Sequence, residues 1–345
     1  MIRLFKSNRW DDVMDKCSNP ALPSWMFSEV KEAVLSSKEK STVCQYKNCF
    51  SKFVSWCKKC KFSSLPASPV TVALYLVSVM QNTNTSCSKS KLNSIFYAIK
   101  WAHLLNGEIS NPSSDEWLKL CLEGCLRKVS KPLIKKEPIT VEILSTLVNK
   151  FASENCTLAD LRLITLFVIS FAGFLRISEA LNLKACNIQF FDNYCSIKIE
   201  KSKTDIYRDG QHVVLARTGN ITCPVTLLDR YFCAACLIKG SGQYLFRAVQ
   251  FCSSTKQFVL RKANKPLSYS RVRELFIEKL NQLGLDHKLF GLHSFRSGGA
   301  TFSANSGTKD RLWKRHGRWR SETAKDGYIK DSLQDRLSVT LNLNL

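Results

Sequence analysis

Apolar residues recur every three to four positions along nearly all of this chain, and the pattern gives way to two-residue alternation in one internal stretch and again at the C-terminus. A 3.6-residue period marks a helix with one buried face, and a two-residue period marks a half-buried strand. The chain is thereby confined to a mainly α fold with a small antiparallel β-sheet. In the first third, Tyr46, Phe50, Phe53 and Val54 share one face of a helix predicted from Cys44 to Cys57. Leu65-Pro66-Ala67-Ser68-Pro69 breaks the chain before another apolar helix, since proline cannot donate the bond a helix interior needs. Further helices are predicted from Ser90 to Leu105 and, after Asn111-Pro112-Ser113-Ser114, from Asp115 to Leu126.

The stretch 127–138, RKVSKPLIKKEP, mixes five basic residues with two prolines. That composition suits an extended linker able to lie along phosphates, with Lys131, Lys135 and Lys136 as candidate DNA contacts. It separates a helical domain at 1–126 from a second domain at 139–345. Helices are predicted there at Val141 to Phe151 and Leu158 to Phe171, with Ala172-Gly173 ending the second. Ile188 to Phe190, Tyr194 to Glu200 and His212 to Ala216 read as three strands, separated by Asp192-Asn193 and Arg208-Asp209-Gly210. From Thr226 onward the pattern is again mainly helical, and no internal repeat is visible.

A length of 345 residues accommodates two cores, and 51 Lys plus Arg against 28 Asp plus Glu leave a formal charge of +23. Such an excess favours a polyanionic partner, nucleic acid first, bound in a salt-dependent way. The longest apolar runs, Pro69 to Met80 and Leu163 to Leu175, are shorter than the roughly 20 residues a membrane span requires. The start, MIRLFKSNRWDDVMDK, holds early acidic residues and no apolar core of signal-peptide length. The expected location is therefore inside the cell, nuclear in a eukaryote and cytoplasmic otherwise. The fifteen cysteines then read as free thiols, and the C-x-x-C pairs Cys57/Cys60 and Cys233/Cys236 as structural rather than zinc-binding, each lacking a second ligand pair.

Four clusters in the second domain carry candidate chemistry: Gly173-Phe174-Leu175-Arg176-Ile177-Ser178-Glu179, Lys201-Ser202-Lys203-Thr204-Asp205, His293-Ser294-Phe295-Arg296-Ser297-Gly298-Gly299, and Gly317-Arg318-Trp319 followed by Tyr328. Their order and spacing resemble the tyrosine recombinase (phage integrase) family over about residues 140 to 330. That pattern is an Arg after a Gly turn with an acid three residues on, a Lys in a β-hairpin, H-x-x-R, and His or Trp nine residues before Tyr. Ser297-Gly298 after the H-x-x-R arginine looks more like eukaryotic mobile-element recombinases than like many bacterial members. The resemblance implies a helical core-binding (SAM-like) domain joined to an α+β catalytic domain, together forming a clamp around duplex DNA. It also implies four protomers acting on two DNA sites, and a 3′-phosphotyrosyl intermediate that conserves the energy of the cut bond, so that neither ATP nor metal is required.

The residue types suit that chemistry. Negative charge builds on the non-bridging oxygens during phosphoryl transfer, and Arg176 and Arg296 present permanently charged, forked donors to it. The alternative for Arg176 is a plain ion pair with Glu179. His293 can bond the phosphate or take the phenolic proton, and its i, i+3 relation to Arg296 puts both on one helical face, while Ser297-Gly298-Gly299 permits close backbone approach. By resemblance, Lys203 is the general acid for the leaving 5′ oxygen, with Lys201 as its rival. Trp319 takes the donor position, with His316 as its rival, and Tyr328 is the nucleophile, its phenol needing cations and a proton acceptor nearby. The run 309–320 holds six basic residues and two tryptophans, and Lys314, Arg315, Arg318 and Arg320 are the expected backbone-phosphate contacts.

Leu337, Val339, Leu341, Leu343 and Leu345 alternate with polar residues, which predicts a terminal strand docked on a sheet, in this protomer or a neighbouring one. The leading functional expectation is a recombinase serving a mobile element. A type IB topoisomerase, which relaxes supercoils by similar chemistry, and a catalytically silent domesticated DNA-binding protein are the alternatives.

Overall fold

The structure, a computed structural model, describes residues 8–82, 87–107, 110–132, 134–200, 211–254 and 256–343. The chain divides into two compact units, 1–133 and 134–345, and the division falls inside the basic stretch 127–138. Among the described residues no helix is long and apolar enough to cross a membrane.

The first unit is helical: α1 (Asn8–Cys17), α2 (Met26–Ser36), α3 (Lys40–Cys60), α4 (Pro69–Gln81), α5 (Lys89–Asn106) and α6 (Glu116–Lys128). Local chemistry sets the starts. Ser68 accepts a bond from the Thr71 amide with Pro69 at the first helical position, Ser88 from Lys91, and Asp115 from Leu118. Each satisfies an amide that the first turn leaves without a partner. Phe50, Phe53, Leu76, Leu92, Ile99 and Leu118 fill the core.

In the second unit, α7 (Val141–Phe151) and α8 (Leu158–Ala172) follow, capped by Thr140 and Thr157. A short α9 (Ile177–Leu181) leads into an antiparallel sheet of β1 (Ile188–Phe190), β2 (Tyr194–Ile199) and β3 (Gln211–Ala216), in the order β1-β2-β3. Ile197 pairs with Ile188 and Val213, so one face of the sheet is buried. Then come α10 (Pro224–Ala234), the hairpin β4 (Val249–Cys252) with β5 (Gln257–Leu260), α11 (Tyr269–Gln282), α12 (Ser294–Asn305), α13 (Asp310–Gly317), α14 (Glu322–Asp326) and α15 (Leu333–Leu341). Helix α8 is buried along its length, and Phe167 stacks on Phe295 of α12 with ring centroids 4.4 Å apart. Gly299 allows this crossing, because a Cβ there would stand 2.1 Å from the Phe171 carbonyl oxygen. The α8–α12 contact brings the end of α8, where Arg176 follows, beside the start of α12, where His293 and Arg296 lie.

One element was not anticipated and one expectation is corrected. The β4–β5 hairpin interrupts a region read as mainly helical, its strands only four residues each. The C-terminal segment forms helix α15 through Leu341 rather than a strand. Ser332 caps it, accepting from the Asp335 amide, and Leu333, Leu337 and Leu341 are spaced four apart, so the same residues also form a helical stripe. None of its residues is buried; Leu337 is 49% and Leu341 72% exposed.

Candidate active site

The site is assembled from three turns of the second unit. Helix α8 stops at Gly173-Phe174, where Phe174 adopts the left-handed conformation at φ 46°, and the chain re-enters helix at Arg176. Glu179 closes this start: its carboxylate accepts from the Arg176 amide at 3.0 Å and from Arg176 Nη1 at 2.6 Å. The Arg176–Glu179 ion pair therefore exists. It does not fix Arg176 on the surface, because Glu179 is itself buried and takes a second bond from Arg318 Nη2 at 2.9 Å.

At the start of α12, Arg296 has no exposed surface. Its Nη1 donates to the Phe174 carbonyl and its Nη2 to the Gly317 carbonyl at 2.7 Å. The guanidinium also faces the rings of Trp319 and Tyr328, each 4.9 Å from the ring centroid. The indole of Trp319 folds back because position 317 is glycine; a Cβ there would meet the ring at 1.8 Å. Arg296 Nε, Arg318 Nε and Trp319 Nε1 are buried with no hydrogen-bond partner. Unanswered donors in a cationic cluster suit an incoming anion.

Tyr328 follows α14 and presents its hydroxyl to His293 Nε2 at 2.9 Å. Thr301, one turn beyond Arg296 on α12, holds this segment: its Oγ1 donates to the Tyr328 carbonyl and accepts from the Lys330 amide, each at 3.2 Å. Nothing in the residue spacing singled out Thr301. Its only sequence signal is a place near the inner face of α12.

Three guanidiniums, Arg176, Arg296 and Arg318, gather around the single carboxylate of Glu179, leaving excess positive charge at the site. Burial works against the charge of Glu179, yet Arg318 and Arg176 hold its carboxyl below the usual range. Burial, followed by Arg176 and Arg318, pushes Arg296 down to about 10, so it stays protonated at neutral pH. Desolvation by the surrounding protein and then Arg296 and Arg176 push His293 down to about 4, although the residue itself keeps an exposed surface. The imidazole is accordingly neutral at pH 7 and can accept a proton from the phenol beside it.

The structure brings Arg176, His293, Arg296, Trp319 and Tyr328 into one cluster. Lys203, with its rival Lys201, lies outside the described residues. His316 is engaged elsewhere: its Nε2 contacts the Ala172 carbonyl at 2.8 Å and its ring packs on Phe174. Of the expected DNA contacts, Lys131, Lys135, Lys136, Arg315 and Arg320 are exposed. The Lys136 ammonium also bonds the Lys288 carbonyl, and Lys314 pairs with Glu322. Arg318 is a correction. It is 5% exposed and both of its Nη atoms are taken by Glu179 and backbone carbonyls, so it is not a contact on the protein surface.

No protein-family model matches the chain. An integrase/recombinase xerD homolog from Selenomonas ruminantium is 26% identical over 305 residues, covering 88% of this chain and 85% of that protein. Among solved structures, the XerH site-specific recombinase in a post-cleavage complex with a palindromic difH substrate superposes with a TM-score of 0.54 at 15% identity, over 87% of this chain and 77% of that one. The Tn1549 transposon integrase in complex with transposon right end DNA gives a TM-score of 0.51 at 13% identity, over 80% and 84%. A lambda integrase dimer bound to a COC′ core site gives 0.51 at 12% identity, over 93% and 85%.

Proposed function

We propose that this chain, which shares its fold with tyrosine recombinases and is similar to a XerD-type recombinase, cuts and rejoins duplex DNA through a 3′-phosphotyrosyl bond at Tyr328. The observation that carries this reading is the meeting of the Tyr328 hydroxyl with neutral His293 beside the buried Arg296. The phenolic oxygen attacks phosphorus as His293 takes its proton, and the bond to the 5′ oxygen breaks. Arg176, Arg296 and the indole N–H of Trp319 offset the charge that grows on the non-bridging oxygens. Protonation of the leaving oxygen is assigned to Lys203. The new ester keeps the energy of the broken phosphodiester, and attack by a 5′ hydroxyl reverses the step.

Two DNA sites held by four protomers are the proposed assembly, and the exposed leucines of α15 are the surface proposed to meet a neighbouring protomer. A mobile element is the proposed source, with action in the nucleus if the host is a eukaryote. The test is incubation of the protein with a randomised pool of nicked suicide duplexes, followed by capture of denaturant-resistant protein–DNA adducts. Adducts are expected with the native chain and none with Tyr328→Phe. Adducts that persist in Tyr328→Phe, or their absence from the native protein, overturn the proposal. Relaxation of supercoiled plasmid without recombinant products would instead mark a type IB topoisomerase.

A further inference from the structure

Within the basic run 309–320, Arg318 is the one Lys or Arg side chain that is buried. It caps the C-terminus of α13 in the left-handed conformation, at φ 57°, a backbone state that costs a non-glycine residue about 1 kcal/mol or more. Its guanidinium ties two turns together. Nη1 donates to the Gly173 carbonyl at 3.2 Å and the His316 carbonyl at 3.1 Å; Nη2 donates to the Phe174 carbonyl at 3.1 Å and to Glu179 Oε2 at 2.9 Å. One of these turns delivers Arg176 and the other delivers Trp319. The Phe174 carbonyl is shared with Arg296, so one oxygen fixes the two buried guanidiniums against each other.

Charge gives this arrangement its consequence. Glu179 is buried and ionised, and a buried carboxylate with too few partners draws in any cation within reach. With Arg318 answering Oε2, Glu179 takes a single side-chain donor from Arg176. Without Arg318, the remaining Arg176 donors are the nearest substitute, and they are the donors a DNA phosphate requires.

We propose that Arg318 is a positioning residue for strand cleavage: by answering the buried Glu179 and bracing the Phe174 carbonyl, it keeps Arg176 available to the scissile phosphate without touching DNA itself. This role rests on the recombinase reading given above. It predicts a loss in the chemical step much larger than any loss in DNA affinity.

The test uses the full-length protein and a nicked duplex recovered from the randomised pool. Arg318→Met is expected to slow single-turnover adduct formation at saturating DNA by on the order of 100-fold, the loss typical of a misplaced reacting group. The dissociation constant is expected to change far less than the rate, and its salt slope by no more than the one phosphate contact that Arg176 withdraws. Adding Glu179→Gln to Arg318→Met removes the carboxylate that captures Arg176 while keeping an acceptor for its amide, and should recover about tenfold or more of the lost rate. Arg318→Lys retains the charge without the fork and should fall between; it and the double variant carry the test if Arg318→Met fails to fold. A native cleavage rate in Arg318→Met overturns the positioning role. So does a salt slope reduced by clearly more than about 0.9, since Arg176 can withdraw only one phosphate contact and a larger drop would mean that Arg318 makes one of its own. Equal losses in the single and double variants overturn it as well, since they assign Arg318 to packing alone. If the native protein forms no adduct with any duplex in the pool, the recombinase reading fails and this role with it. A reactive native protein with an unaffected Arg318→Met overturns the positioning role alone.

Discussion

The hydroxyl of Tyr328 lies 2.9 Å from Nε2 of His293, so the phenol and its candidate base meet across 35 positions of chain without any partner molecule. The same tyrosine ring covers Arg296. The proposed nucleophile, its proposed proton acceptor and a guanidinium proposed to face the phosphate are thus neighbours in a single copy of the protein.

Because desolvation, Arg296 and Arg176 push His293 down toward about 4, its imidazole is expected to titrate well below ~6.5 in the free protein. The folded value lies below the unfolded one of about 6.5, so the linked stability is present above pH ~6.5 and is lost as the pH falls toward 4. Proton acceptance by His293 is retained down to the same point. A bound duplex, bringing negative charge next to the two guanidiniums, should raise the midpoint. Imidazole NMR shifts followed against pH, with and without duplex, check both; a midpoint near 6.5 in the free protein would refute the arrangement.

Gly299→Ala should lower stability by ~1–3 kcal/mol, since the added methyl meets the Phe171 carbonyl oxygen at 2.1 Å in the α8–α12 crossing. Gly124 on α6 has nothing within 4 Å of the same position, and Gly124→Ala should stabilise its helix by ~0.5–1 kcal/mol. Urea unfolding of the two variants against the native protein gives opposite shifts in midpoint.

Exposed Lys135, Arg315 and Arg320 are expected to neutralise DNA phosphates. Substituting each by Ala should weaken binding on all sequences alike and lower the slope of log affinity against log salt by about 0.9 per contact. Lys314→Ala should change it less, since that ammonium already pairs with Glu322. Fluorescence anisotropy over a salt series reads these slopes, and an unchanged slope for Arg315→Ala and Arg320→Ala together would remove this face from the DNA contact.

Much of the fold was legible because its determinants are local. Helix α7 begins and ends where periodicity and the Thr140 cap place it, and β1 spans the residues expected for it. The hairpin β4–β5 escaped notice because two four-residue strands carry too few alternations to stand out from a helical background. The tail misled for a related reason. Leu333, Leu337 and Leu341 satisfy a helical stripe while the later leucines satisfy alternation, and the Ser332 cap decided between them.

The sequence by itself determined where most helices and the first sheet begin and which residue types are available: two arginines, a histidine, a tryptophan and a tyrosine, far apart in the chain. Tertiary structure decided which charges go inside. Nothing within the run 309–320 separates Arg318 from Arg315 or Arg320. Arg318 is buried because a carboxylate 139 positions earlier, on the far side of the α8 turn, repays its desolvation, and the partner of a buried charge is set by folding in three dimensions rather than by neighbours along the chain.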